Sequence, residues 1–236
     1  MVYEDVTDKA PCFPFYFRQV HAGPHRNFTY VVGDPATKQA ALVDPVFEIE
    51  RVLSIVERDG YRVTHAFITH SHADHAGGIP EMARRGITVV VHESWAGSPR
   101  IGAAGAQAQL VTDGKTLHVG SVPVQVLHTP GHTREATCFL VGQPSGPRAL
   151  MGGDTLMVNC CGRCDVSDLD VDEAGRLMFA SLQRLKGQVG DIHLFPGHFY
   201  LGLPTRSLAQ QRVENPALAV EDFDVWKRFW FLREYD

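Results

Sequence analysis

The sequence has no long apolar run, and none of its 236 residues lies in a stretch near the roughly eighteen that span a bilayer. It has no basic stretch either: the formal net charge is −5, and lysines are scarce among its 22 basic residues. Nucleic-acid binders usually carry a basic face, so this balance argues against that class. Residues 1–10 are polar and acidic and do not resemble a secretory signal peptide. We therefore expect neither a nucleic-acid partner nor a membrane partner.

Cysteine is also scarce, with five residues in the chain. An odd number at uneven spacing does not form a disulfide framework of the kind found in small secreted domains. The pattern indicates reduced thiols, and we expect a cytoplasmic protein. Three of the cysteines, Cys160, Cys161 and Cys164, lie close together in the sequence.

Apolar periodicity predicts an alternation of strands and helices. The predicted strands are 15–20, 28–32, 40–43, 66–69, 88–91, 122–127, 136–141, 149–151 and 192–195, and the predicted helices are 48–58, 79–85 and 172–185. Residues 97–108 are small and polar and are interpreted as a surface loop. Strands, mixed helices and strands again fit two sheets covered by helices.

The end of the sequence, residues 222–235, is rich in aromatic side chains. We interpret about 221–235 as an amphipathic helix whose aromatic face packs on the body of the protein. The alternative is a contact in a homodimer, because an exposed aromatic patch is typical of interaction surfaces.

The cluster His70-Ser71-His72-Ala73-Asp74-His75 is the strongest chemical signal in the sequence. It follows an apolar strand, and residues two apart in extended backbone point to the same side. Imidazole and carboxylate groups together suit zinc or iron. The cluster therefore predicts a metal site at the end of this strand.

One segment cannot surround a metal ion, so other loops have to supply ligands. Three candidates each follow an apolar strand and lie beside glycine: His132, Asp154 and His198. A single such histidine is more often an ordinary polar loop residue. Several strand-end loops with the same features make the metal-site interpretation the stronger one.

This series of motifs resembles the metallo-β-lactamase superfamily over nearly the whole chain. The resemblance implies the αββα sandwich of that family, an α/β fold in four layers. It also implies one domain spanning 1–236, with the metal site between the two sheets.

Several segments resemble the persulfide dioxygenase (sulfur dioxygenase) branch, which is related to glyoxalase II. They are Phe17-Arg18-Gln19, Asp34-Pro35-Ala36-Thr37, Val43-Asp44-Pro45-Val46, Cys161-Gly162-Arg163-Cys164-Asp165, Pro196-Gly197-His198-Phe199-Tyr200 and Glu214-Asn215-Pro216-Ala217-Leu218. Few residues follow His198, whereas glyoxalase II carries a longer helical domain there. We therefore expect the persulfide dioxygenase branch.

The resemblance implies one Fe(II) per chain, bound by His70, His132 and Asp154 as a facial triad with open positions. The expected reaction converts a thiol persulfide such as glutathione persulfide, with O₂ and water, into the thiol and sulfite. The resemblance makes the other four metal-type residues orienting groups or ligands of a second metal: His72, Asp74, His75 and His198. Arg163 and Tyr200 match positions that contact the thiol carrier.

The sequence departs from the branch at Cys160 and Cys164, which replace a glycine and a threonine. The bland interpretation of Cys160, Cys161 and Cys164 is packing, and the sharper one is a thiol that takes up sulfur after its pKa is lowered beside Arg163. The runner-up function is a dinuclear thioesterase of the glyoxalase II type, with zinc or mixed metals. A metal-stabilised binding protein and a nuclease are weaker alternatives.

Overall fold

The computed structural model describes residues 3–102, 107–166 and 168–230. A seven-stranded sheet is built in chain order from β1 to β7, antiparallel up to β4 and parallel from β4 onwards. Its strands are β1 (Tyr3–Asp5), β2 (Tyr16–Ala22), β3 (Asn27–Gly33), β4 (Gln39–Val43), β5 (Arg62–Phe67), β6 (Thr88–His92) and β7 (Ala108–Val111).

A second sheet of six strands has the order β15-β14-β11-β10-β9-β8, with β11 and β14 as its one parallel pair. Its strands are β8 (Thr116–Val119), β9 (Val122–His128), β10 (Thr137–Val141), β11 (Arg148–Gly153), β14 (Ile192–Pro196) and β15 (Arg206–Ser207). A short hairpin of β12 (Leu156–Met157) and β13 (Cys160–Cys161) follows β11.

The two sheets pack face to face because each strand alternates its side chains between two apolar layers. Along β3, Phe28 and Tyr30 point into the layer between the sheets, whereas Val31 points to the outer layer. Along β10, Phe139 lies in the central layer and Leu140 lies in the outer layer of the second sheet. Both faces of each sheet are therefore buried, and helices must cover the outer ones.

The helices are α1 (Ile49–Arg58), α2 (Ala73–Ala76), α3 (Ile79–Arg84), α4 (Pro99–Gly102), α5 (Val171–Lys186), α6 (Leu208–Glu214), α7 (Pro216–Ala219) and α8 (Phe223–Trp230). On the first sheet, Val52 of α1 and Met82 of α3 are buried in the outer layer. On the second, Met178 of α5 and Trp226 of α8 are buried in the other outer layer. This arrangement is the αββα sandwich, so the predicted fold class is confirmed.

The predicted strands and helices all occur, with ends shifted by a few residues. The strand predicted at 66–69 corresponds to β5, which begins earlier, at Arg62, and ends at Phe67. The interpretation of 97–108 as one loop was wrong in part, because α4 occupies Pro99–Gly102 and β7 begins at Ala108. Residues 103–106 of that segment lie outside the described residues, as do residues 231–235 of the predicted C-terminal helix. In the described part of the chain, every helix is too short or too polar to cross a membrane.

Candidate metal centre and cleft

The histidine cluster lies where β5 leaves the first sheet and the chain turns into α2. His72 is in extended backbone, with φ −60° and ψ 147°, immediately before α2 begins. The extended part directs His70 and His72 to one side, and the first helical turn brings Asp74 and His75 back toward them. The change from extended to helical backbone thus divides the six-residue motif into two donor groups.

The first donor group consists of His70, His72 and His132, the last from the loop after β9. Nδ1 of His72 lies 3.1 Å from Nε2 of His70 and 3.0 Å from Nε2 of His132. His70 and His132 are buried, and His72 is half-buried. Three ring nitrogens therefore converge on one point near the surface.

The second donor group consists of Asp74, His75 and His198, the last from the loop after β14. Nε2 of His75 lies 3.2 Å from Nε2 of His198 and 3.7 Å from Oδ2 of Asp74. His75 and His198 are buried. This group combines two imidazoles with a carboxylate of its own.

Asp154, in the loop after β11, lies between the two groups. Its Oδ2 is 3.4 Å from Nε2 of His132 and 3.3 Å from Nε2 of His198, and its Oδ1 is 3.6 Å from Nε2 of His75. Among the described residues, Oδ1 of this buried carboxylate has no hydrogen-bond donor. One carboxylate can therefore contribute to either group.

The opposite ring nitrogens of four histidines are fixed by hydrogen bonds. Nδ1 of His132 donates to the carbonyl of Arg163, and Nδ1 of His198 donates to the carbonyl of His25, each at 2.8 Å. Nδ1 of His75 donates to Asp44 at 2.8 Å, and Nδ1 of His70 lies 3.0 Å from the hydroxyl of Thr69. Outer partners of this kind select the tautomer of a metal-binding histidine.

In the neutral tautomers that these hydrogen bonds select, Nε2 of His70, His132 and His198 presents a lone pair to the centre. Lone pairs about 3 Å apart repel one another unless a proton or a cation lies between them, so the donor set fits a metal ion. Two glycines allow this close approach: a Cβ on Gly197 would lie 2.3 Å from Oδ1 of Asp154, and one on Gly162 would lie 2.9 Å from Nδ1 of His132. Any larger residue would collide with the ligands.

The two groups differ electrostatically. Burial holds the pKa of His70 well below its usual value and lowers the pKa of His132. Burial also works against protonation of His75, but the carboxylates of Asp154 and Asp44 outweigh it and raise the pKa of His75 to about 9. Burial opposes the ionised form of Asp154, yet the charge of His75 and contact with His198 keep its pKa well below the usual range.

Three supporting residues were missed by sequence reasoning. Asp44, directly after β4 and in left-handed backbone with φ 49°, accepts hydrogen bonds from the backbone N–H and hydroxyl of Thr69 at 2.8 and 2.7 Å. Asn27 donates to Oδ2 of Asp74 at 3.1 Å, and Glu135 accepts from the backbone N–H of Ser71 at 3.0 Å. The available signal was a carboxylate at the end of a buried strand, which Asp44 shares with Asp154.

A cleft of about 520 Å³ opens onto both donor groups. Five metal-type residues line it: His72, Asp74, His132, Asp154 and His198. The rest of its described lining is Met157, residues 159–163, Val166, Tyr200 and Leu201. Tyr200 stacks on the ring of His198 with centroids 4.6 Å apart, and burial raises the pKa of its phenol to about 12. The guanidinium of Arg163 forms two hydrogen bonds with Asp165, at 2.9 and 2.5 Å. Both predicted carrier-binding residues therefore line the cleft.

The sharper interpretation of the cysteines, a thiol whose pKa is lowered beside Arg163, is wrong for Cys164. Its thiol is buried, and burial together with the nearby carboxylate of Asp165 raises the pKa to about 12. The guanidinium of Arg163 is directed to Asp165, so its charge does not favour a thiolate at Cys164. Cys161 is also buried and Cys160 is half-buried, and both border the cleft.

Comparisons with known proteins agree with this geometry. Residues 22–220 match the family model described as the metallo-beta-lactamase superfamily. The chain is 30% identical to a hydroxyacylglutathione hydrolase of Rhodopseudomonas palustris over 81% of this chain and 70% of the relative. It is 28% identical to the human mitochondrial persulfide dioxygenase ETHE1 over 88% of this chain and 77% of the relative.

A solved structure, ETHE1 from Myxococcus xanthus, is 32% identical and superposes with a TM-score of 0.78. It is matched over 92% of this chain and 90% of its own. The match to the family model spans most of the chain and includes Asp154 and all six residues of the two donor groups. From its sandwich architecture, its convergent ligands and these matches, the chain belongs to the metallo-β-lactamase superfamily.

Proposed function

We propose that this protein is a persulfide dioxygenase that converts a thiol persulfide, with O₂ and water, into the thiol and sulfite. The observation that carries the proposal is the 32% identity to ETHE1 from Myxococcus xanthus, which extends over 90% of that chain. Cys161, Gly162 and Arg163 of the segment Cys161-Gly162-Arg163-Cys164-Asp165 line the cleft beside the ligands, and Arg163 pairs with Asp165. Glutathione persulfide is the first substrate to test.

We assign one Fe(II) to His70, His132 and Asp154. Two imidazoles and one carboxylate form the ligand type that leaves open positions on non-haem iron, and bound iron supplies the redox chemistry that O₂ needs. His132 and Asp154 border the cleft, so the open positions would face the substrate. The carbonyl of Arg163 holds His132 in the required tautomer.

The remaining metal-type residues then orient the ligands. His72 borders both His70 and His132, and His198 contacts Oδ2 of Asp154. His75 and Asp74 complete the carboxylate-rich side of the centre. Arg163 and Tyr200 contact the thiol carrier: the phenol of Tyr200 stays protonated at neutral pH and can donate a hydrogen bond.

A second candidate is a dinuclear thioester hydrolase. The specific observation in its favour is the complete second donor group, with Asp154 within reach of both groups. Two bridged metals would activate a water molecule as the nucleophile. The relative from Rhodopseudomonas palustris carries the name of such a hydrolase.

The deciding experiment offers iron-loaded protein a panel of thiol persulfides beside a panel of glutathione thioesters. The proposal expects O₂ consumption and sulfite formation with persulfides, and no more than slow thioester cleavage. Rapid hydrolysis of thioesters without O₂ uptake on any persulfide would establish the hydrolase instead.

We further propose that the chain forms one domain, 1–236. Trp226 of α8 is buried in the same outer layer as Met178 of α5 and Leu194 of β14. We also propose a cytoplasmic location, since all five cysteines lie in described segments and none forms a disulfide.

A further inference from the structure

Two buried amides outside the metal centre face the wall of the cleft. Gln211, in α6, and Asn215, which ends α6 and begins α7, are both 0% exposed. Both point at the turn between β12 and β13, which leads directly to the cleft residues Cys160 and Arg163. Burying two amides is costly unless each finds partners, so their contacts define what they do.

Gln211 binds Asn159 in both directions. Its Oε1 accepts the backbone N–H of Asn159 at 2.7 Å, and its Nε2 donates to Oδ1 of Asn159 at 2.8 Å. Asn159 is in left-handed backbone with φ 61°, a conformation that few residues other than glycine and asparagine adopt readily. The two hydrogen bonds therefore hold the tight turn in an otherwise unfavourable shape.

Asn215 fastens both sides of the same turn. Its Nδ2 lies 3.1 Å from the carbonyls of Met157 and Cys160 and 3.1 Å from Oε1 of Gln211. Its Oδ1 accepts the backbone N–H of Ala217 at 2.9 Å and caps α7. The helical segment and the hairpin are thus joined through one amide pair.

The hairpin in turn contacts the metal ligands. A Cβ on Gly162 would lie 2.1 Å from the backbone oxygen of Asp154, so this part of the wall rests on the ligand loop. The next residue, Arg163, accepts the hydrogen bond from Nδ1 of His132 through its carbonyl. A displacement of the turn would therefore move the cleft wall along with the support of a metal ligand.

We propose that Gln211 and Asn215 form an amide clamp that positions the substrate-binding wall, residues 159–163, and thereby sets the affinity for the thiol carrier. Among the described residues, the two amides contact no metal ligand and do not line the cleft themselves. They bind the lining residues Met157, Asn159 and Cys160, so they act as positioning residues. The inference rests on the proposed function for the identity of the substrate but not for the geometry. Removal of the clamp should weaken binding of the thiol carrier while the metal ion is retained.

The test replaces Gln211 by leucine, which has similar volume and no hydrogen-bonding groups. The matched control is Gln183→Leu, which removes a single 2.9 Å hydrogen bond from a side-chain amide to the carbonyl of Val220, away from the described lining of the cleft. With the iron-loaded protein and glutathione persulfide, Gln211→Leu should raise KM about tenfold and leave kcat within about threefold, since binding is lost equally in ground and transition states. Gln183→Leu should leave KM unchanged.

Two further variants keep the proposal testable if Gln211→Leu does not fold. Asn159→Gly keeps the left-handed turn and removes one acceptor, so it should raise KM by a smaller factor. Gln211→Glu should recover much of the wild-type KM in mildly acidic buffer, because a protonated carboxyl offers one donor and one acceptor as the amide does.

An unchanged KM in both Gln211→Leu and Asn159→Gly, with lower stability only, would overturn the clamp. If wild-type protein consumes no O₂ with persulfides, the proposed function fails by itself. The same KM comparison on whichever thioester the wild type cleaves then decides the clamp separately. Calorimetric titration with glutathione supplies an affinity that does not depend on turnover.

Discussion

The two donor groups of the centre share Asp154 but are supported in different ways. The group of His70, His72 and His132 consists of imidazoles alone, and burial disfavours the charged form of His70 and His132. The other group is rich in carboxylates: Asp44 receives a hydrogen bond from His75, and Asn27 donates to Asp74. The imidazole group therefore directs uncharged ring nitrogens at one point, whereas carboxylates of the protein offset the positive charge of His75 in the other group.

The contrast indicates where a single metal ion gains most. At the imidazole group a cation can satisfy three converging ring nitrogens at once, and burial makes added protons on His70 and His132 costly. At the carboxylate group, hydrogen bonds and charges from the protein already serve several of the donor atoms. The comparison therefore supports a mononuclear metal at the imidazole side, completed by Asp154.

The largest effect is expected for Asp154→Ala, which removes the ligand common to both groups. The affinity for iron should fall by more than about 100-fold. Loss of an outer hydrogen-bond partner typically costs about 10- to 100-fold in metal affinity, and loss of a direct ligand should cost more. The αββα fold should remain, since Asp154 lies at a strand end and not in an apolar layer. Iron analysis, turnover and circular dichroism measure the three quantities; wild-type iron content in this variant would contradict the assignment.

The second-largest effect is a difference in iron retention between variants of the two donor groups. His132→Ala should lose the iron, whereas His75→Ala should retain about one iron and lose activity about 10- to 100-fold, as for an orienting group. Both variants remove one buried imidazole, so each is the control for the other. Equal loss of metal in the two variants would show that the comparison does not describe metal binding.

A smaller effect is expected at the cleft side of the imidazole group. Arg163→Lys keeps the charge but loses the planar fork that pairs with Asp165, while its backbone carbonyl can still hold His132. We expect KM to rise about tenfold with iron content unchanged. Steady-state kinetics check this, and an unchanged KM would show that Arg163 does not contact substrate.

A substitution of the buried Cys164, which directly follows the cleft residue Arg163, is expected to change activity little. Its raised pKa means that almost no thiolate exists at neutral pH, so it should react with iodoacetamide far more slowly than the exposed Cys12. Cys164→Ser should turn over small persulfides at close to the wild-type rate. Rapid alkylation of Cys164, or a protein-bound persulfide seen there by mass spectrometry, would restore the sulfur-uptake interpretation.

The smallest effect lies outside both groups, at Asp34. Its carboxylate accepts hydrogen bonds from the backbone N–H groups of Ala36 and Ser121, which lower its pKa from 3.8 to about 2. The stabilisation is complete above the unfolded value and is lost as pH falls between about 3.8 and about 2. Urea titrations across this range should show a shallower pH dependence for Asp34→Asn, with metal content unaffected. An identical slope would mean that Asp34 does not contribute.

Much of the fold and of the ligand set could be predicted from the sequence because both have local signals. Short runs of apolar, aromatic and β-branched residues predicted β3 and β10, and histidine or aspartate beside glycine after a strand predicted His132 and Asp154 as ligands. The family resemblance then supplied the layer order. Short elements such as β12 and β13 carried no periodic signal, since two residues per strand cannot show alternation.

The parts that could not be predicted depend on contacts between distant segments. Asp44, directly after β4, supports His75 of α2, and Gln211 reaches Asn159 across 52 positions of the chain. The position of His72 within the imidazole group follows from where the extended backbone ends and α2 begins. The pKa of Cys164 depends on its burial and on Asp165, and Arg163 as a neighbour suggested the opposite direction.

The most direct test of the account is metal analysis of the active enzyme together with O₂ uptake. Protein loaded with Fe(II) or Zn(II) should be titrated with glutathione persulfide while O₂ consumption and sulfite are recorded. The account predicts one iron per chain, with activity proportional to iron content and absent from the zinc form. Full activity in protein that holds two zinc ions per chain would contradict it.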